Sequence, residues 1–208
     1  MAKFTITIAR GFGSGGRTIG RMLAERLNIS WYDQDLIRLA SEESGINIDL
    51  FGKADESKRA TLFGKYNGSY GEKIISPSSG EFTSDDNLFN FQAKIIKDLH
   101  DKESCVIVGR CADYILRDEP GVLRVFVYAS KKKCIETVAD LYSLSEKEAE
   151  RQIDRIDRAR STYYRYYTGQ EWDNARNYDL CLNSEILGFD RCVDLIEQYL
   201  KVLYGENM

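Results

Sequence analysis

Apolar and polar positions alternate at the start of the chain, with Phe4, Ile6 and Ile8 separated by Thr5 and Thr7. This is the period-two pattern of a strand. The period then changes: Ile19, Met22, Leu23, Arg26 and Leu27 fall at helical spacing, the apolar members on one face. Ile29 to Tyr32 reads as a short strand ending in Asp33-Gln34-Asp35, and Leu36 to Glu43 as a helix stopped by Gly45. Leu88, Phe91, Ile95 and Leu99 predict a helix over 86–102. Cys105 to Val108 is a continuous apolar run, the pattern of a strand covered on both faces of a parallel sheet. Val122 to Tyr128 predicts another strand and Lys131 to Leu141 a helix. Ser145 to Glu148 is a capping box opening a helix through Ile153 and Ile156 towards Tyr167, where Gly169 ends it. Tyr178 to Leu182 and Phe189 to Leu203 read as a last strand and a last amphipathic helix.

Five short strands alternating with helices predict an α/β fold with a parallel sheet covered on both faces. The stretch from Gly45 to about Ser84 is different in character. It holds Gly52, Gly64, Gly68, Gly71 and Gly80, with Phe and Tyr scattered between charges and no firm periodicity. It reads as a mobile insertion, at about 45–90, within a single domain spanning 1–208.

Between the first strand and the first helix lies Gly11-Phe12-Gly13-Ser14-Gly15-Gly16-Arg17-Thr18. Glycine takes positive φ and has no Cβ to block a ligand. The N–H groups that open a helix point outward without partners, at the positive end of its dipole. Together these bind phosphate. Two motifs overlap. Gly11, Gly13 and Gly16 fit G-x-G-x-x-G, the dinucleotide fingerprint, with Asp33 and Asp35 about 20 residues on. Gly11, Gly16, Arg17 and Thr18 fit the nucleoside-triphosphate loop G-x-x-x-x-G-K-[ST] with Arg in place of Lys. The Thr18 hydroxyl is placed to ligate Mg²⁺, which favours the second motif. The loop, Asp33, Asp35 and Arg110 all fall at carboxyl ends of strands, where ligands bind in such sheets.

Composition narrows the classes. With 208 residues and 43% hydrophobic content, the chain can bury the core of one large α/β domain. The net charge of −4 supplies no global field for nucleic acid. No apolar run approaches ~20 residues, so no membrane span is expected. The five cysteines form no C-x-x-C pair, and His100 is the single histidine. Reduced, mostly buried thiols and a cytoplasmic protein are the expectation.

Residues 151–176 carry Arg151, Arg155, Arg158, Arg160, Arg165 and Arg176, interleaved with Asp154, Asp157 and Tyr163, Tyr164, Tyr166 and Tyr167. One reading is a solvated helix with surface ion pairs such as Asp154 with Arg158. A second is a helical lid, at about 150–176, that closes arginines on phosphates, and a third, a nucleic-acid patch, has the interleaved acids and the acidic net charge against it. The guanidinium fork matches phosphate oxygens bidentately and stays charged.

At this point the residues resemble a family. GFGSGGRTIGRMLAERLNISWYD resembles the opening of bacterial cytidylate kinases. VIVGRCAD resembles their third strand and Gly-Arg motif, VFVYAS their fourth strand, IDRIDRAR their arginine-rich lid and YDLCLNS their last strand. The cytidylate kinase-like group, whose loop reads Gly-Gly-Arg, is the best match, over nearly the whole chain apart from about 45–90.

The resemblance implies a three-layer P-loop kinase fold and transfer of the ATP γ-phosphate to a nucleoside monophosphate, with Mg²⁺ and a small-molecule nucleotide as the partners. It implies that Gly11, Gly13, Ser14, Gly15, Gly16, Arg17 and Thr18 hold the ATP phosphates. Arg17, Arg155 and Arg158 would act on the transferred group. Arg38, Arg110, Asp113, Asp157 and Arg160 would bind the acceptor, and Thr18 with Asp33 and Asp35 the metal. Several positions depart from the family. Val108 stands where it has an acid before Gly-Arg, Cys111 where it has one after, and Arg38 lies one position from the acceptor clamp. A kinase with another acceptor, a catalytically silent nucleotide-binding module and a dinucleotide-binding oxidoreductase domain remain as alternatives.

Overall fold

The computed structural model describes residues 3–57, 66 and 68–205, the side chains of 53–57 excepted. Five parallel strands form one sheet: β1 (Thr5–Arg10), β2 (Ser30–Tyr32), β3 (Cys105–Val108), β4 (Val122–Tyr128) and β5 (Leu180–Asn183), in the order β2-β3-β1-β4-β5. The two central partners of β1 align Ile6 with Val106 on one side and with Leu123 on the other. All five strands therefore end on the same edge, which carries the glycine loop, Asp33 and Arg110.

Helices cover both faces, as the continuous apolar strands require. Ile6, Ile8, Val106 and Val108 pack against α1 (Gly16–Leu27) and α8 (Ser184–Tyr204). Cys105 and Ile107 face α2 (Asp35–Ser44) and α4 (Asp85–Lys102), with α5 (Ala112–Ile115) beside them. Thr5 and Thr7 share that second face and are fully buried, and Thr5 Oγ1 bonds His100 Nδ1 of α4 at 2.9 Å. At the far edge α6 (Lys131–Tyr142) and α7 (Glu146–Thr168) form a helical hairpin, with Cys134, Val138, Ala149 and Ile153 between them. The Ser145 capping box and the left-handed Gly169 bound α7 as the sequence predicts.

Two differences stand out. The stretch read as aperiodic contains a helix, α3 (Ile48–Ser57), whose Phe51 is fully buried. Its period is hard to see because the buried contacts come from widely spaced residues, Ile46, Phe51 and Tyr66. Residues 68–84 lack helix and strand but are tied down. Asn87 of α4 receives the amide of Ile75, and Asn90 that of Gly71. The expected mobile insertion lies partly outside the described residues. The last helix begins at Ser184 rather than Phe189, because a left-handed break at Gly188 (φ 74°) divides it. Among the described residues no helix is long and apolar enough to cross a membrane.

Candidate nucleotide and phosphate site

The glycine loop leaves β1 at Gly11, whose N–H donates to Val127 O of β4 at 3.1 Å. Gly13 and Gly15 are left-handed, with φ 85° and 80°. A Cβ on Gly13 would lie 2.8 Å from Cys134 O, and one on Gly15 would collide with the ring of Phe189. Both positions thus require glycine for conformation and for space. Gly15 caps α1 without a side-chain hydrogen bond, so among the described residues no side chain caps the start of the helix. The Ser14 side chain is engaged within the protein. Its hydroxyl donates to Gly11 O (2.8 Å) or Val127 O (3.1 Å), and its own carbonyl receives the Ser184 hydroxyl (2.6 Å).

Facing this helix terminus is a cluster of guanidinium groups. Arg17 Nε pairs with Asp33 Oδ2 at 2.6 Å, and Arg10 Nη2 with Asp33 Oδ1 at 3.6 Å. Arg160 Nη1 donates to Arg10 O at 3.1 Å and pairs with Asp157 Oδ1 at 3.3 Å. That same Asp157 oxygen accepts the backbone N–H of Phe12 at 2.9 Å, fastening α7 to the glycine loop. Arg160 also lies over the Phe12 ring, 5.5 Å from its centroid.

Arg110 enters from β3 through an unusual turn. Gly109, Arg110 and Cys111 are all left-handed, with φ 77°, 61° and 56°. For the two residues with side chains this costs roughly 1–2 kcal/mol each, and such strain concentrates at functional sites. The turn leaves room at Gly109 for the Arg10 guanidinium, which a Cβ there would strike.

The charges in this pocket press on one another. Burial first, then Arg160, Arg110 and Arg17, lower the Arg10 pKa to about 9 against the opposing pull of Asp33. Burial lowers Arg110 and Arg160 as well. Asp157 is raised by burial, against the opposing pull of the Phe12 amide and Arg160. Arg10, Arg17, Arg110 and Arg160 are four cations set around two carboxylates, Asp33 and Asp157. An anion placed among them would relieve both the desolvation and the mutual repulsion.

The structure brings together Arg17, Asp33, Arg110, Asp157 and Arg160 of the residues expected at the site. Others lie elsewhere. Asp113 is buried under α7, where Tyr164 Oη donates to it at 2.6 Å, and burial pushes its carboxyl up to about 6. Arg38 is exposed and bound to Glu42 (2.8 Å) and Asp35 (3.6 Å), which also occupies Asp35. Arg155 and Arg158 stand at exposed positions of α7, and Asp154 pairs with Lys131 of α6 (3.1 Å) rather than with Arg158. The helical pitch explains this. Asp157, Arg160 and Tyr164 share the inward stripe, and Arg158 is turned about 100° from it.

Sequence reasoning missed Arg10, although a charge ending an otherwise apolar strand beside a glycine loop was a usable signal. It also missed Phe189, whose contact with Gly15 depends on the break at Gly188, and the place of Tyr163 among its neighbours.

The residues fit nucleotide phosphates, by the uncapped helix terminus and by the crowding at Arg10. Thr18 and Asp33 are hard oxygen donors of the kind Mg²⁺ takes.

A search among curated proteins returns no match. Among solved structures, an uncharacterized protein from Eubacterium ventriosum is 26% identical, with 97% of this chain and 99% of that chain covered and a TM-score of 0.72. Shikimate kinase from Bacteroides thetaiotaomicron is 14% identical over 96% and 99% of the two chains, with a TM-score of 0.55. A gluconokinase from Sinorhizobium meliloti is 13% identical over 99% and 98%, with a TM-score of 0.50. These likenesses establish the P-loop kinase fold. The model of the cytidylate kinase-like family matches residues 5–186, the sheet, the glycine loop and α7 included, and the chain belongs to that family.

Proposed function

We propose that the protein is an ATP-dependent phosphotransferase acting on a nucleoside monophosphate. The observation that carries this reading is the uncapped terminus of α1, behind left-handed glycines, facing Arg10, Arg17, Arg110 and Arg160 across two carboxylates. Phosphoryl transfer asks a protein chiefly for position and for neutralised charge. Gly11 to Thr18 would hold the ATP phosphates through the backbone, and Thr18 with Asp33 would hold Mg²⁺. Mg²⁺ held there would supply positive charge against the nucleotide phosphates. Among the described residues no three His, Cys, Asp or Glu side chains gather into a metal site, which suits an ion that arrives with the nucleotide and keeps its waters.

Arg110 would bind the acceptor phosphate and Arg160, beside it, would reach the phosphoryl group as it transfers, with Asp157 linking α7 to the loop. Closure of α7 over the acceptor would exclude water. The test is coupled ADP release with CMP, dCMP, UMP, AMP, shikimate and gluconate. Release with a monophosphate alone is expected. Release only with shikimate or gluconate would replace the acceptor.

One observation favours a second reading, a nucleotide-binding module without turnover. Arg17, standing where the loop has Lys, spends its guanidinium on Asp33 and lies 5.7 Å from the Trp31 ring. Tight ATP binding with no ADP release from any acceptor is the outcome that supports it.

A further inference from the structure

The tyrosines near the end of α7 differ in one respect. Tyr164 Oη donates to Asp113, Tyr166 Oη reaches Asp86, and Tyr167 Oη donates to the carbonyl of Asp85. Tyr163 is 9% exposed, and its hydroxyl has no hydrogen-bond partner among the described residues. Its ring is fully engaged, tilted on Tyr167 at 4.7 Å between centroids and edge-on to Phe89 at 6.1 Å. Packing therefore accounts for the ring and leaves the oxygen without a use. A phenylalanine would fill the same space without burying an unpaired O–H, which costs as much as a lost hydrogen bond.

Position supplies a use. Tyr163 follows Arg160 by three residues, so the two share one side of α7. Arg110 is held nearby, at the left-handed turn 109–111 that ends β3. Burial lowers the Arg110 pKa, and the neighbour that counters this most is Tyr163. The phenol thus borders the arginine cluster from its aromatic end.

We infer that the Tyr163 hydroxyl is a binding and specificity group for the acceptor, donating a hydrogen bond to its phosphate beside Arg110. This rests on the reading that the acceptor phosphate enters between α7 and the end of β3. Arginines confer charge on such a site, and any anion satisfies them. A single neutral donor at a fixed place adds direction. It favours a tetrahedral phosphate with a free oxygen turned towards α7 over a planar carboxylate held by the arginines alone.

The test is Tyr163→Phe, which removes one oxygen and keeps the ring. The probes are CMP and inorganic phosphate, titrated with saturating ADP so that the glycine loop is filled, alongside thermal unfolding without ligand. We expect about tenfold weaker binding of both probes, as for a lost hydrogen bond to a charged group, with ADP affinity unchanged. We expect the unfolding midpoint unchanged or raised, since no internal bond is lost. In the coupled assay the CMP KM should rise with kcat preserved, the signature of a contact made equally in ground and transition states.

A fall of several degrees in the midpoint would show that the hydroxyl has an internal structural partner, and would overturn the inference. So would equal binding of both probes by variant and wild type, or binding of neither by the wild type. Turnover of CMP unaffected by the substitution would sink this inference and leave the proposed function standing. Weakened phosphate binding with no monophosphate turned over would do the reverse.

Discussion

The Asp157 carboxylate of α7 accepts the backbone N–H of Phe12 at 2.9 Å, joining the arginine-bearing helix to the glycine loop across 145 positions of sequence. The same oxygen pairs with Arg160, which in turn donates to Arg10 O. Loop, α7 and the end of β1 are thus one hydrogen-bonded unit. Asp157 also sets a negative charge beside the place where nucleotide phosphates would lie.

Replacing that charge alone should tighten anion binding. Asp157→Asn keeps an oxygen for the Phe12 amide and leaves Arg160 without its counter-ion. Inorganic pyrophosphate is expected to bind roughly fivefold more tightly at low salt, with the gain shrinking as ionic strength rises. Calorimetric titration at two salt concentrations checks this. Unchanged or weaker binding would mean that Asp157 acts through the geometry of α7 rather than through charge.

Asp33 and Asp35 should separate in their effects on Mg²⁺. Asp33 is buried at the end of β2 beneath Arg17 and Arg10, while Asp35 is half-exposed and engaged with Arg38. Asp33→Asn is expected to remove most of the Mg²⁺ enhancement of ATP binding, about 10- to 100-fold in apparent metal affinity. Asp35→Asn should retain it. Titration of ATP at fixed Mg²⁺ concentrations reads the difference, and equal behaviour of the two variants would place the metal elsewhere.

How far the sequence reveals this arrangement depends on the range of each signal. The strands, α1, α4 and α7 are legible because their periods and caps are local: Ser145 with Glu148, Gly45, Gly169 and the apolar run at 105–108 each lie within a few residues. The loop is legible for the same reason. The partners of its neighbours are not. Arg10 with Asp33, Asp157 with Phe12, and Asp113 with Tyr164 are joined across 23, 145 and 51 positions by the crossovers of the sheet. Spacing on one helix pairs Asp154 with Arg158, yet α6 supplies Lys131 instead. The helix α3 is hidden because Phe51, the one fully buried side chain among its described residues, gives no period by itself.

Asp113 should leave a mark on stability rather than on activity. Burial raises its folded pKa to about 6, against an ordinary value near 3.8, with the Tyr164 hydrogen bond opposing the shift. The folded state thus holds the proton more tightly than the unfolded chain. The stabilisation from protonation is full below about pH 4 and is lost as pH rises through about 6. The difference is on the order of 2–3 kcal/mol at pH 7. Asp113→Asn cannot titrate, and its amide oxygen still accepts from Tyr164. The stability of wild type relative to this variant should therefore fall between about pH 4 and 6.5 in urea unfolding. A constant difference over that range would show that the carboxyl ionises normally in the fold.

The arginines of α7 and β3 give the sharpest division of labour. Arg160 already meets Asp157 and Arg10 O, and Arg110 is half-buried at the end of β3. Arg158 is exposed on the same helix and reaches inward only if α7 turns. An arginine that neutralises the transferring group is worth ~10³–10⁵ in rate in P-loop enzymes. Arg160→Ala is therefore expected to lower kcat by roughly 10²–10³, somewhat less because Arg10 and Arg110 remain nearby. Arg110→Ala should chiefly raise the KM of the acceptor, since a contact to the acceptor phosphate is present before and during transfer. Arg158→Ala should change either constant by less than about threefold, in line with an exposed side chain. Coupled ADP release with CMP across the three variants measures this. A collapse of kcat in Arg158→Ala with ATP affinity preserved would show instead that α7 rotates on closure and that Arg158, not Arg160, meets the transferred phosphoryl group.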